Sequence, residues 1–200
     1  VAEEFIDFTR ELSAIVVRSP SNQVVAYPIS ETVQRDGICV ETTTPAPGLD
    51  EDRASELQAM AIRIAEQLGV VGVLAVELME APDGRVVVNE LAMRPHNTGH
   101  WTIDGAETSQ FDNHIRAVLD LPLGAPNQIA PVVVMANVLG GSEDGLTGSL
   151  QHVYARDRHA HVHLYGKDVR PGRKVGHVTC LGDDADDVRR RARHAANYMM

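Results

Sequence analysis

Two glutamates on consecutive apolar runs are the sharpest chemical feature of this sequence. Glu77 lies near the end of GVLAVELM at 72–79, and Glu90 near the end of VVVNEL at 86–91. The tetrapeptide APDG at 81–84 is a strong turn signal, so the two runs read as an antiparallel hairpin. Residues equally far from such a turn lie opposite each other, which makes Glu77 and Glu90 close cross-strand neighbours. Two carboxylates side by side in an apolar sheet repel unless a positive charge lies between them. A hard divalent cation supplies it, and Mg2+ favours a few carboxylates together with nucleotide phosphates. Asn89 adds a neutral oxygen beside them. The alternative is a pair of glutamates turned to solvent at strand ends, where Glu is usually found.

Three further clusters carry polar chemistry. The run RPHNTGHW at 94–101 offers a planar guanidinium fork at Arg94, neutral donors at Asn97 and Thr98, and close backbone approach at Gly99. It would bind an acid and turn it toward a nucleotide, or else form an ordered surface loop. The run KDVRPGRK at 167–174 places four cations within eight residues of a very acidic chain. Its Pro-Gly turn would gather Arg170, Arg173 and Lys174 around a phosphate, or leave them solvated on a basic hairpin. His159, His161 and His163 alternate, so on a strand all three face one way. That pattern suits zinc but lacks a clear fourth ligand, and strands also alternate for packing reasons. Glu3, Glu4 and Glu11 are weak signals by themselves.

The elements that must position these groups are legible from periodicity. Residues 1–6, 12–18 and 23–27 are β-prone, with a turn at 19–22, and 28–42 continues extended with a break at Asp36-Gly37. A helix follows over 50–68, with Leu57, Met60, Ile64 and Leu68 on one stripe. Acidic residues 50–52 suit its positive end, and Gly69 its stop. After the hairpin, 93–106 reads as an irregular loop. A second helix spans 108–119, with Phe111, Ile115, Val118 and Leu119 as its expected buried side. Residues 121–126 read as a link to a second unit with strands at 132–139, 161–165 and 174–181 and a helix over 183–198. The fold class is α+β, in two units: 1–125 and a small β-rich 126–200.

Composition sets the outer limits. Across 200 residues, 44% are hydrophobic, enough for a packed core. Eighteen Lys and Arg face 28 Asp and Glu, a formal charge of -10, which disfavours binding to nucleic acid. Cys39 and Cys180 form neither a metal motif nor a disulfide framework, so a reducing cytoplasm is the natural setting. No apolar run reaches membrane-spanning length. The chain opens at Val1 within a β-prone run and closes at Met200 within a helical pattern, and is expected to be a fragment of a longer one.

Taken together, these segments resemble the ATP-grasp superfamily and, within it, the N5-carboxyaminoimidazole ribonucleotide synthetase family. The stretch NELAMRPHNTGHWTIDGA at 89–106, continued by SQF at 109–111 and RAVLDLP at 116–122, is similar to one signature of that family. RPGRKVGH at 170–177 is similar to a second, far away and in the right order. The resemblance implies an ATP-grasp C-terminal subdomain, an antiparallel sheet with flanking helices, followed by a small β-rich domain. It implies an adenine-pairing hinge at Glu3, Glu4, Phe5 and Ile6, and a ribose-binding carboxylate at Glu11. Glu77 and Glu90 become the metal ligands, with Asn89 beside them. Arg94, His96, Asn97 and Thr98 fall at the acyl-phosphate and acceptor site, with Arg94, His96 and Asn97 as catalytic groups. Lys167, Arg173 and Lys174 would hold the ribonucleotide's 5′-phosphate. ATP and Mg2+, or Mn2+ in its place, are the implied cofactors. Aminoimidazole ribonucleotide and bicarbonate are the implied substrates, a homodimer the implied assembly, and neither membrane nor nucleic acid a partner.

The sequence departs from the family where Met93 replaces a usual Pro, and where Gln34 replaces a frequent His at the nucleotide. The family's N-terminal domain and the subdomain carrying phosphate-binding lysines are absent from this stretch, so the fragment alone is expected to be inactive. The nearest rival is the formate-using glycinamide ribonucleotide transformylase, another ATP-grasp enzyme with an Arg-Pro-His loop. His100-Trp101 and the RPGRK segment favour the carboxylating family. A non-catalytic nucleotide-binding domain is a rival of another kind, and the presence of both Glu77 and Glu90 argues against it.

Overall fold

The computed structural model describes residues 4–140 and 146–200, apart from the side chain of residue 147. The strands are β1 (Arg10–Arg18), β2 (Val24–Ala26), β3 (Ser30–Arg35), β4 (Ile38–Thr44), β5 (Gly72–Glu80), β6 (Val86–Ala92), β7 (Val132–Leu139), β8 (His161–Leu164) and β9 (Lys174–Gly182). They form one antiparallel sheet in the order β6-β5-β1-β3-β4-β7-β9-β8, with β2 paired to β1. The helices are α1 (Glu51–Gln67), α2 (Thr102–Gly105), α3 (Gln110–Val118), α4 (Leu146–Arg156) and α5 (Ala185–Tyr198), with a 3-10 turn at Asn97–Gly99.

Strand parity explains how the sheet is covered on both faces. In β1, Leu12, Ala14 and Val16 face α1, and Leu74, Val76 and Leu78 of β5 join them against Leu57, Ala61 and Ala65. The intervening Ile15 and Val17, with Val73 and Ala75, pack on the other face against Trp101, Ala117, Val133 and Met135. Burial on both faces is why these strands read as continuous apolar runs rather than alternating ones. It also fixes the side on which the acids lie. Glu11 and Glu77 share parity with Ile15 and Ala75, so they lie on the face opposite α1.

Beyond residue 126 the sheet continues through β4–β7 pairing, from Glu41↔Ala136 to Thr44↔Val133. Here β7 is shared: Val133 and Met135 belong to the cluster opposite α1, whereas Val134, Ala136 and Val138 meet Val178, Cys180, Val188, Ala192 and Ala196 in a third. Glu41, almost fully buried on β4, is paired with Arg189 and Arg193 of α5. A lone carboxylate in that position would be costly, and the two guanidinium groups offset its charge.

The structure corrects several expectations. Residues 4–9 form no strand, and Phe5 is 88% exposed; residues 1–3 of that expected strand lie outside the described residues. The stripe of α1 is rotated, because Ala61 and Ala65 are small enough to approach the sheet, and Leu68 at the C-cap is exposed. Residues 93–106 contain the 3-10 turn and α2. His159 precedes β8 and is not on the strand with His161 and His163. The sequence reading also missed α4.

The largest reversal concerns α3. Phe111, Ile115, Val118 and Leu119 are exposed, while Gln110, Asn113 and Ala117 are buried. Asn113 is fully enclosed: its Nδ2 donates to Tyr27 Oη at 2.9 Å and Gly124 O at 3.1 Å, and its Oδ1 accepts from Gly124 N at 2.8 Å. Polar side chains win the inner face because they satisfy backbone and phenol groups that no apolar residue could pair. Asn113→Ala is therefore expected to lower the unfolding free energy of this chain by about 1–3 kcal/mol. Ile115→Asn should shift it by only about 0.5 kcal/mol, the usual range for a surface change. Urea titrations of the two variants check this; the opposite ranking would restore the apolar face as the buried one.

Candidate active site

The hairpin β5–β6 places Glu77 directly opposite Glu90, with a bulge between Glu77 and Leu78. The bulge absorbs one residue of the β6 strand, so the acids stay opposite each other although β5 and β6 differ in length to the turn. Glu77, Glu90, Asn89 and Glu11 line one cleft of about 440 Å³ with Phe8, Gln34, Cys39, His96, Asn97 and Lys174. Its size falls within the usual range for small-molecule sites.

Charge in the cleft is unbalanced. Burial and then the neighbouring Glu90 raise the pKa of Glu77, opposed by Lys174 and Arg94. Burial and Glu77 raise that of Glu11. His96 Nε2 lies 3.4 Å from Glu77 Oε1, but burial, then Arg94 and Lys174, push this imidazole down to about 4. At neutral pH it is an uncharged neighbour and does not neutralise the acid. Burial also pushes the Cys39 thiol up to about 11, which leaves it protonated and poorly nucleophilic. Three carboxylates therefore face one lysine across the cleft, an arrangement that a divalent cation would relieve.

The loop after β6 is held from below. Gln110 is fully buried; its Oε1 accepts from His96 N at 2.9 Å and its Nε2 donates to His96 O at 2.7 Å and His100 Nδ1 at 3.1 Å. Thr98 is buried, with its hydroxyl 2.7 Å from Ser13 Oγ and 2.9 Å from His96 Nδ1. A Cβ on Gly99 would fall on Ile15 and Gln110, so this glycine permits close packing within the protein and does not face the cleft as the sequence suggested. Asn97 and Asn137 form a reciprocal amide pair, each donating to the other at 2.8 Å. Asn137 also donates to Cys39 O at 2.9 Å, and Lys174 Nζ donates to Asn97 Oδ1 at 3.1 Å. Four segments thus converge on this pair of amides.

Not every sequence candidate reaches the cleft. Glu4, Phe5 and Ile6 line a neighbouring hollow of about 440 Å³ with Met79, Val87 and Val88; it shares Phe8 and Asn89 with the first. Glu3 lies outside the described residues. Arg94 is exposed and donates to its neighbour's carbonyl, Pro95 O, at 3.2 Å. Of the three expected phosphate ligands only Lys174 lines the cleft. Arg173 donates to Asp168 O at 3.3 Å, and the Lys167 ammonium stands 5.0 Å from the centre of the Tyr165 ring. Sequence reasoning missed Phe8, Gln110, Asn137 and Cys39. Asn137 had a signal: it is a lone amide inside the apolar run VVVMANVL.

The buried imidazoles give the site's surroundings an acid sensitivity. His96 and His100 are pushed down to about 4, and His177 to about 3, chiefly by burial. The unfolded chain protonates these groups near 6.5, before the folded one does. Stability should therefore fall as pH drops from about 6.5 to about 4, and these groups should add no further loss below about 3. Glu11 and Glu77, with raised pKa values, act in the opposite sense. Urea unfolding across this pH range checks the prediction; stability that is level or rising on acidification would contradict it.

The fold and cleft now meet known proteins. A model of the ATP-grasp domain matches residues 1–111, and one of the phosphoribosylaminoimidazole carboxylase C-terminal domain matches residues 133–191. The N5-carboxyaminoimidazole ribonucleotide synthase of Mycobacterium tuberculosis (strain ATCC 25618 / H37Rv) is 55% identical over 202 residues, covering 100% of this chain and 47% of the relative. That of Corynebacterium ammoniagenes is 48% identical over 206 residues, covering 100% of this chain and 50% of the relative. Among solved structures, the Thermus thermophilus synthetase superposes with a TM-score of 0.87 at 39% identity, over 98% of this chain and 52% of that one. The Aspergillus clavatus synthase, solved with ADP and 5-aminoimidazole ribonucleotide, superposes with a TM-score of 0.87 at 32% identity, over 98% and 52%. The chain spans about half the length of the curated relatives it matches. With a family model covering more than half of its residues, over the hairpin and the loop that build the cleft, the chain belongs to the ATP-grasp domain family.

Proposed function

We propose that this chain is part of an ATP-grasp ligase that carboxylates 5-aminoimidazole ribonucleotide with bicarbonate to N5-carboxyaminoimidazole ribonucleotide, a step of de novo purine biosynthesis. The observation that carries the reading is the cross-strand pair Glu77↔Glu90 in a cleft that also presents His96, Asn97 and Lys174. The similarity to synthases of this activity across the whole chain supports it. We also take residues 1–125 as part of the ATP-grasp subdomain and 126–200 as a small C-terminal domain. The setting is cytoplasmic and the assembly a homodimer. Among the described residues, no helix is long and apolar enough to cross a membrane.

The residues suit the cofactors. Glu77 and Glu90 would hold Mg2+, or Mn2+ in its place, with Asn89 beside them. The ion would offset the charge crowding between nucleotide and bicarbonate. Glu4, Phe5 and Ile6 would contact adenine, with Glu3 in the same hinge, Glu11 would hold the ribose, and Gln34 would border the nucleotide. Arg94 would pair with the acid, where a guanidinium fork matches a planar oxyanion. In the chemical sequence, a bicarbonate oxygen takes the γ-phosphoryl group, and ADP leaves. The aminoimidazole amine then bonds to the carbon of carboxyphosphate as phosphate leaves with the C–O bond broken, or to the CO2 that carboxyphosphate releases on losing the same phosphate. His96, neutral at neutral pH, can accept the proton that the amine loses. Asn97 and Thr98 would fix the acceptor, and Lys174, with Lys167 and Arg173, would hold its 5′-phosphate.

Phosphate release by the complete enzyme should require bicarbonate and aminoimidazole ribonucleotide together. Formate-dependent turnover instead would select the transformylase reading, and nucleotide binding without turnover a non-catalytic one. Glu90→Gln should keep the fold yet lower turnover by about a hundredfold or more, since it removes one charge from the cation site. Near-normal kcat would remove Glu90 from the mechanism. Arg173→Ala should raise the KM for the ribonucleotide about tenfold and leave that for ATP in place. A change confined to ATP would show that Arg173 serves the nucleotide.

A further inference from the structure

A second cluster of potential ligands shares no residue with the carboxylate pair. Register places His163 of β8 directly opposite His177 of β9. Their rings stack at 4.7 Å. Asp104 of α2 reaches across to them, with Oδ2 2.7 Å from His163 Nε2. Ligand atoms of Asp104, His163 and His177 all lie within 4.8 Å of one another. His161, two residues before His163 on the same face, stands at the rim, with Nδ1 3.4 Å from the other Asp104 oxygen.

The unusual member is His177. It is 1% exposed, and its Nε2 is buried with no hydrogen-bond partner. Its Nδ1 is taken, 2.6 Å from Tyr165 Oη. A buried ring nitrogen without a partner is costly and calls for an explanation. One follows if Nδ1 carries the proton and donates it to the Tyr165 oxygen, because Nε2 then presents a lone pair. That is the arrangement of a metal-binding histidine, in which the far nitrogen is fixed by a hydrogen bond. Burial keeps the ring uncharged at neutral pH, so no proton competes there.

We propose that Asp104, His163 and His177 form a binding site for a divalent transition ion, Zn2+ in the first instance. Two imidazoles and one carboxylate are a borderline donor set that suits Zn2+ better than Mg2+. Zn–N bonds of about 2.1 Å put tetrahedral ligands about 3.4 Å apart, so the cluster must draw together and the His163 ring, now stacked on His177, must turn to aim its lone pair at the shared ion. His163 and Asp104 already meet within that spacing, and His163 is 35% exposed, so its side chain has room to turn. The fourth position is open to water or to His161. The ligands differ from the alternating histidines of the sequence: His159 lies outside the strand, and Asp104 and His177 take part instead.

The site differs from the Glu77–Glu90 pair in chemistry and in residues, so the two can be tested separately. Chelator-stripped protein is titrated with Co2+ at neutral pH and followed by its visible d–d absorption. The intense d–d band of a four-coordinate site is expected to saturate at one Co2+ per chain and to be removed by added Zn2+; Co2+ held by the carboxylate pair, six-coordinate, absorbs far more weakly. Asp104→Asn and His163→Gln, both partly exposed positions, should each weaken binding by about tenfold or more. Glu90→Gln should leave the band unchanged. Circular dichroism establishes that each variant is folded. The proposal is overturned by absence of a saturable band, by folded Asp104 and His163 variants that bind as the parent does, or by loss of the band in Glu90→Gln alone.

Discussion

Repulsion between two carboxylates organises this molecule. An antiparallel ladder fixes the backbone of Glu77 opposite that of Glu90, so both side chains start from facing positions on one side of the sheet. The cleft neutralises them only in part: His96 is uncharged at neutral pH, and Lys174, which opposes the charge on Glu77, also bonds Asn97. The electrostatic cost is fixed in place by backbone hydrogen bonds formed well away from the charges. Such a device is worth keeping only if something positive arrives, and it gives the cleft a standing preference for cations carrying anions with them.

The rest of the fold holds this pair still. β1 is buried on both faces and carries Glu11 on the same side as Glu77, so three acids sit on one rigid surface. The loop that faces them is irregular in backbone but not loose. Gln110 replaces the missing ladder for His96, and the Asn97–Asn137 amide pair anchors the loop to β7. The two halves of the chain are joined where it matters, because Lys174 at the start of β9 and Asn97 after β6 meet at a single oxygen. A rigid sheet positioning a hydrogen-bonded loop is the usual way to hold reacting groups in register.

Much of this was legible in the sequence, for identifiable reasons. The hairpin was readable because Ala81-Pro82-Asp83-Gly84 fixes a turn and the turn brings Glu77 and Glu90 near each other; the bulge that sets them directly opposite left no signal in the sequence. The helices over 51–67 and 185–198 were readable from caps and periodicity. What failed was the orientation of α3. Hydrophobicity predicts the buried side only where burial is against apolar surface, and α3 lies on backbone and phenol groups that need Asn113 and Gln110. The basic cluster at 167–174 illustrates a different limit. Spacing brings Arg173 and Lys174 together along the chain, but a turn sends their side chains to separate partners, Asp168 and Asn97.

The order of the strands has one more effect. Among the described residues β6 is the outermost strand on its side of the sheet, and it bears Asn89 and Glu90 at exposed positions. Unpaired strand edges invite other chains to add to them, and charge is the common deterrent. An acid suited to gripping a cation therefore also guards against strand addition along this one edge. Whatever neutralises it, whether a bound ion, a proton or a substitution, makes the rim of the sheet more adhesive at the same time.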